Sequence, residues 1–163
     1  MGQEAFAKLW SGYEGTYDQL EDSFFTLRID LSYVPDNPRI TLEDARFLVW
    51  REYYIEGSKV KEAENLIKEI AALYKSKNIT NRWNMLKGGI GYDAHWYESA
   101  EYALSAVDYY THKQPELETL GEDFVKLWGK FMDATEKYEV SQGYYRPDLS
   151  YTPKESEENT TSQ

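Results

Sequence analysis

A chain of 163 residues with 41% apolar side chains can bury one core and calls for no second. It has no cysteine, which excludes disulfides, thiolate metal ligands and a cysteine nucleophile and fits a reducing compartment. Its net charge of −11 repels nucleic-acid phosphate, and no apolar run approaches the ~20 residues of a membrane-spanning helix.

Residues 1–6 carry neither a basic region nor an apolar run, so no secretory signal is read there and a cytoplasmic location is expected, or a virion if the source is viral. Residues 25–33 alternate apolar and polar in the manner of a strand. The same stretch also fits a helix, with Leu20, Phe24, Leu27, Leu31 and Val34 at heptad-like spacing. The helical reading is preferred because no second segment offers a convincing partner strand. Residues 25–33 are thus the one place where a strand could form.

Pro35-Asp36-Asn37-Pro38 reads as a turn. Thr41 with Asp44 resembles a capping box, which predicts a helix from 42 to about 56, stopped by Gly57. Ser58 opens a second helix to about 77, with Val60, Ala63, Ile67, Ile70, Ala71 and Tyr74 on one face, and Asn78 suits a left-handed terminator. Asn81 could cap a short helix carrying Trp83, Met85 and Leu86, and Gly88-Gly89-Ile90-Gly91 reads as a hinge or turn. Asp93 is placed to cap a helix over 94–112, and Pro115 to open a last one reaching about 140. The fold expected is therefore all-α: a single-domain bundle of about five helices over 1–143, followed by an extended or disordered polar tail over 144–163.

Chemistry-bearing motifs are sparse. The chain has two histidines, and His95-Trp96-Tyr97-Glu98 runs opposite to the Glu-x-x-His of helical metal sites; His95 is expected in a helix's first turn and His112 near a helix end. Glu98 and Glu101 have the Glu-x-x-Glu spacing of magnesium-dependent nucleotide hydrolases, without the downstream Glu-x-x-Asp. The glycine run lacks the Lys-Ser/Thr of a phosphate loop, and no Gly-x-Ser-x-Gly elbow occurs. No catalytic, cofactor-binding or metal-ligating residue is assigned, and no small-molecule ligand is expected.

Charge is distributed unevenly, with ten bases against seven acids over 39–87 and eight acids against one base over 88–123. Such blocks suit a protein partner or self-association without direct nucleic-acid or membrane contact. The interface candidates are the bases Arg46, Arg51, Lys59 and Lys61, the acids Glu98, Glu101 and Asp108, and the tail rings Tyr144, Tyr145 and Tyr151. The function expected is a non-enzymatic helical assembly or adaptor protein, as in a viral particle. The alternatives are an acidic mimic of nucleic acid that inhibits a nucleic-acid-binding protein, and a magnesium-dependent nucleotide hydrolase centred on Glu98 and Glu101.

Overall fold

The computed structural model describes residues 2–149 except 14, 17 and 20. In chain order its elements are α1 (Gln3–Ser11), β1 (Phe25–Leu27), β2 (Phe47–Ile55), α2 (Val60–Ser76), β3 (Trp83–Gly88), β4 (Trp96–Ala103), α3 (Ala106–Asp133) and β5 (Thr135–Tyr144). The strands form one antiparallel sheet in the order β1-β3-β4-β2-β5. Two β-α-β units, β2-α2-β3 and β4-α3-β5, are interleaved so that each has a strand of the other between its own two. Among the described residues no helix is long and apolar enough to cross a membrane.

This overturns the all-α bundle. Phe47-Leu48-Val49-Trp50 is apolar on both sides of the chain, so its spacing satisfies a helix and a strand alike, and pairing with β4 and β5 decides for the strand. Phe47, Val49, Tyr53 and Ile55 are buried on one face, the side that α2 and α3 cover. The helix expected over 94–112 is strand β4 followed by the start of α3, the short helix at Trp83 is strand β3, and the last ten residues expected to be helical belong largely to β5. Residues 25–33 give a three-residue strand and a 3-10 turn at Ile29–Leu31. The partner strand judged missing is β3, with Phe25 opposite Gly88. The Asp44 N–H does donate to Thr41 Oγ1 as in a capping box, but the Thr41 hydroxyl rather than its backbone N–H donates to the Asp44 carboxylate, around a turn with no helix after it.

Helix α2 lies where its apolar period put it, burying Ala63, Leu66, Ile67, Ile70 and Tyr74, and Asn78 after it is left-handed. The core lies between this helix, α3 and the sheet, and includes Leu31, Tyr53, Ile67, Leu120 and Phe131. The segment entering from β1 is fastened to it by ions: Arg28 Nη1 lies 2.7 Å from Glu64 Oε1 on α2, which also accepts from the Tyr97 hydroxyl at 2.6 Å and from Lys87 at 3.2 Å. The Arg28 bond, with help from Tyr97 and Lys87 and against partial burial, depresses the Glu64 pKa to about 2. By contrast α1 buries none of its residues; its Phe6 and Trp10 rings stack at the surface, and the neighbouring Tyr13 ring tilts against Trp10.

Helix α3 is broken at Gly121, whose φ of 67° and ψ of −156° belong to a region essentially reserved for glycine. A Cβ there would meet no atom within 4 Å, so the cost of any other residue is carried by the backbone alone. Gly121→Ala is expected to lower unfolding stability by about 1–3 kcal/mol in chemical denaturation; an unchanged midpoint would show that the break is not imposed by the fold.

Candidate functional site

Two rungs of the sheet set the chemistry of the face that the helices cover. On one, Arg51 of β2 stands beside Ser99 of β4 and Met85 of β3; on the next, Val49, Glu101 and Trp83 are aligned. Arg51 and Glu101 are thus diagonal neighbours on a largely apolar surface that α2 and α3 cover, where an unmatched charge would be costly. They match each other, with Arg51 Nη1 2.8 Å from Glu101 Oε1, and Arg51 Nη2 donates to the Tyr109 hydroxyl at 2.6 Å.

Helix α3 completes the set. Lys113 Nζ lies 3.0 Å from both Glu101 oxygens and 2.9 Å from Glu116 Oε1. Glu116, itself buried, accepts from the Tyr74 hydroxyl at 3.0 Å and from the Asn81 side-chain amide. Burial opposes the Lys113 charge, but Glu101, Tyr74 and Glu116 outweigh it and hold the ammonium pKa well above the ordinary lysine value. Burial likewise opposes ionisation of Glu101, yet Lys113 and Arg51 hold its carboxyl below the usual range. Both groups therefore stay charged, and the cluster is a fixed dipolar patch.

Beside it lies a cavity of about 400 Å³. The sheet contributes Tyr53, Trp83 and Met85 to its walls, α2 contributes Ile67, Ile70 and Tyr74, and α3 contributes Leu117, Phe124, Trp128 and Phe131. The break at Gly121 falls between Leu117 and Phe124, so one helix supplies a charged stretch and an aromatic stretch to the same space. Trp128 and Phe131 pack edge-on against Tyr53 at ring separations of 6.0 and 5.0 Å, which fixes the distance between α3 and the sheet. At the cavity's sheet side the Tyr53 hydroxyl meets Ser99 Oγ at 3.1 Å. Apolar walls with a few convergent polar groups, in a volume within the range of ligand sites, make this a candidate pocket for a small organic molecule. Among the described residues no group of three His, Asp or Glu side chains is placed to hold a metal ion.

The sequence-derived candidates do not form one surface. Arg51 and Glu101 line the cavity, whereas Glu98, three residues before Glu101, projects from the opposite face of the sheet opposite Glu52. Asp108 pairs with Arg39 at 2.7 Å. Arg46 donates to the carbonyls of Glu43 and Ala45 beneath the Tyr145 ring, Tyr144 packs on Phe47, Lys59 pairs with Glu56, and Lys61 is exposed. Tyr151 lies outside the described residues. The sheet thus separates Glu98 from Glu101, which removes both the continuous acidic surface of a nucleic-acid mimic and the shared magnesium site of a nucleotide hydrolase. The complementary charge blocks are spent in part within the chain, as Arg51–Glu101 and Arg39–Asp108. His95 sits in a left-handed turn before β4, and His112 accompanies Asp108 in the second turn of α3. Sequence reading missed Tyr53, Tyr74, Ser99 and Lys113; the available signal was Arg51 interrupting the alternation of Phe47, Val49, Tyr53 and Ile55, which marks a buried polar site on a strand.

No family model matches the sequence, and no curated protein matches it. Solved structures resemble it in fold. A dimeric ferredoxin-like protein from an uncultured marine organism superposes with a TM-score of 0.50 at 13% identity, over 66% of this chain and 94% of the other. An anthrone oxidase-like protein gives 0.52 at 15% identity, over 88% of this chain and 66% of its own. A putative monooxygenase from Fusobacterium nucleatum gives 0.52 at 11% identity, over 83% of this chain and 58% of its own. The chain therefore has a ferredoxin-like fold and spans just under two thirds of the second protein and less of the third. The helical assembly or viral adaptor reading falls with the bundle it assumed.

On the uncovered sheet face Glu52 is flanked directly by Glu98 on β4 and Glu139 on β5. Burial, reinforced by Glu52, raises the Glu98 pKa to about 7. The folded state therefore holds this proton more tightly than the unfolded chain does, a stabilisation present below the ordinary glutamate pKa and lost as the pH rises through about 7. Glu98→Gln should raise Tm by a few degrees at pH 8 and leave it nearly unchanged at pH 4 in thermal melts; an equal effect at both values would contradict the assignment.

Proposed function

We propose that this chain is an enzyme of the oxygenase class that holds a flat, multi-ring organic substrate in the cavity between the sheet and the two helices. The observation that carries the reading is the cavity itself: about 400 Å³, walled by Tyr53, Trp83, Phe124, Trp128 and Phe131, with Arg51, Glu101 and Lys113 also in its lining. Aromatic walls favour planar ligands through stacking and edge contacts, and the paired charges give such a ligand one preferred orientation. The fold likeness to an anthrone oxidase-like protein and a putative monooxygenase supports oxygenation as the reaction and a tricyclic compound as the first substrate to try.

A second reading, a binding protein without turnover, is favoured by one observation: Arg51, Glu101, Lys113 and Glu116 are already partnered with one another, and Glu101 is held in its weakly basic form. The two are separated by measuring, on the same samples, tryptophan fluorescence quenching by anthrone and the rate of oxygen uptake. The enzyme reading expects saturable quenching and saturable uptake together, both reduced at least about tenfold by Leu117→Trp, which fills the cavity from its half-buried edge. Quenching without uptake gives the binding reading. Neither signal, across a panel of two- and three-ring compounds, would remove the cavity as the functional site.

A further inference from the structure

The Tyr53–Ser99 pair carries a hydrogen-bond donor that the protein itself does not use. Each hydroxyl has one proton, and in their mutual contact at 3.1 Å only one proton can lie between the two oxygens. Among the described residues neither hydroxyl has a second hydrogen-bond partner. Both residues line the cavity and are otherwise buried, Tyr53 to 2% and Ser99 to 7% exposure, so the other proton can be accepted only by what the cavity holds, water or a ligand that displaces it. A buried donor without an acceptor is unfavourable, and the free space next to it is where an acceptor can be placed.

We infer that the substrate presents a carbonyl or phenolic oxygen to the Tyr53–Ser99 pair, so that the cavity selects ring systems carrying a hydrogen-bond acceptor over the parent hydrocarbons. This rests on the cavity being the ligand site and adds the functional group by which the ligand is anchored. The geometry is consistent on three sides. Strand pairing fixes the Ser99 backbone beside Arg51 and Met85, and Tyr53 is wedged by Trp128, Phe131 and a stacked Tyr138, which holds its hydroxyl at the cavity. Burial also raises the Tyr53 pKa, an effect only partly offset by Ser99, so the phenol remains a donor across the physiological range. The charged patch is a poorer anchor for a neutral oxygen, because the Lys113 ammonium is already shared between Glu101 and Glu116.

The test uses two probes of the same shape that differ at one carbon, fluorenone and fluorene, and two proteins, the full chain and its Tyr53→Phe/Ser99→Ala variant, which removes both hydroxyls and no other contact atom. Affinities are read from tryptophan fluorescence. The expected result is that the unmodified chain binds fluorenone roughly three- to tenfold more tightly than fluorene, and that the double variant binds both alike, with fluorene affinity unchanged as the control for an intact cavity. Equal binding of the two probes by the unmodified chain, or a preference that survives in the double variant, would overturn the inference while leaving the cavity as a ligand site. Binding of neither probe by the unmodified chain would overturn the site and the inference together.

Discussion

The arrangement depends on two charges placed on a largely apolar face that the helices cover, where Arg51 and Glu101 keep only 15% and 16% of their side chains exposed. Arg51 and Glu101 occupy inward-facing positions of adjacent central strands and pair with each other, and once α2 and α3 cover that face any further compensation comes from the covering helices. Lys113 and Glu116 of α3 provide it, and Tyr74 of α2 and Asn81 before β3 fill the remaining acceptor sites of Glu116. Removing Glu101, which both cations share, leaves Arg51 without a carboxylate partner in a largely apolar setting, which is destabilising. The network thus fixes where α3 lies over the sheet, and with it the walls of the cavity.

This constraint also explains why an apolar space persists in so aromatic an interior. A purely apolar interface could collapse, with α3 sliding to fill the gap. Here the first half of α3 is tied at Lys113 to the charges of the sheet, and its second half is wedged by Trp128 and Phe131 against Tyr53. Gly121 lets the two halves satisfy both demands, since its backbone conformation is unavailable to a regular helix. The space between the two anchors is the cavity.

The sequence made some of this legible. The 3.6-residue period of Ala63, Ile67, Ile70 and Tyr74 has one interpretation, and α2 follows it; Asn78 and the glycines at 88–91 mark real changes of direction. Segments 47–55 and 96–103 were opaque for a physical reason. Central strands of a sheet with aromatic groups on both faces lose the alternation that identifies a strand, so Phe47 to Trp50 and Trp96-Tyr97 read equally well as a broad helical face. Assigning them to helices left 25–33 without a partner, which in turn removed β1. The site inherited the same error: Glu98 and Glu101 are one turn apart on a helix and share a face there, but on a strand they point to opposite sides, one toward the cavity and one away from it. The charge blocks were legible as complementary; only the fold could show that the complement is in part internal.

The position of α3 turns on Lys113 remaining a charged ammonium, largely withdrawn from solvent, between Glu101 and Glu116. That charge state can be read directly from the 15N resonance of the Lys113 side chain during a pH titration by NMR. A protected ammonium signal that persists beyond the ordinary lysine pKa of about 10.4, and is lost in Glu101→Gln, is the predicted outcome. A Lys113 that exchanges freely with solvent and titrates at the ordinary value would show that the network does not hold α3 against the sheet, and that the cavity beside it lacks the support described above.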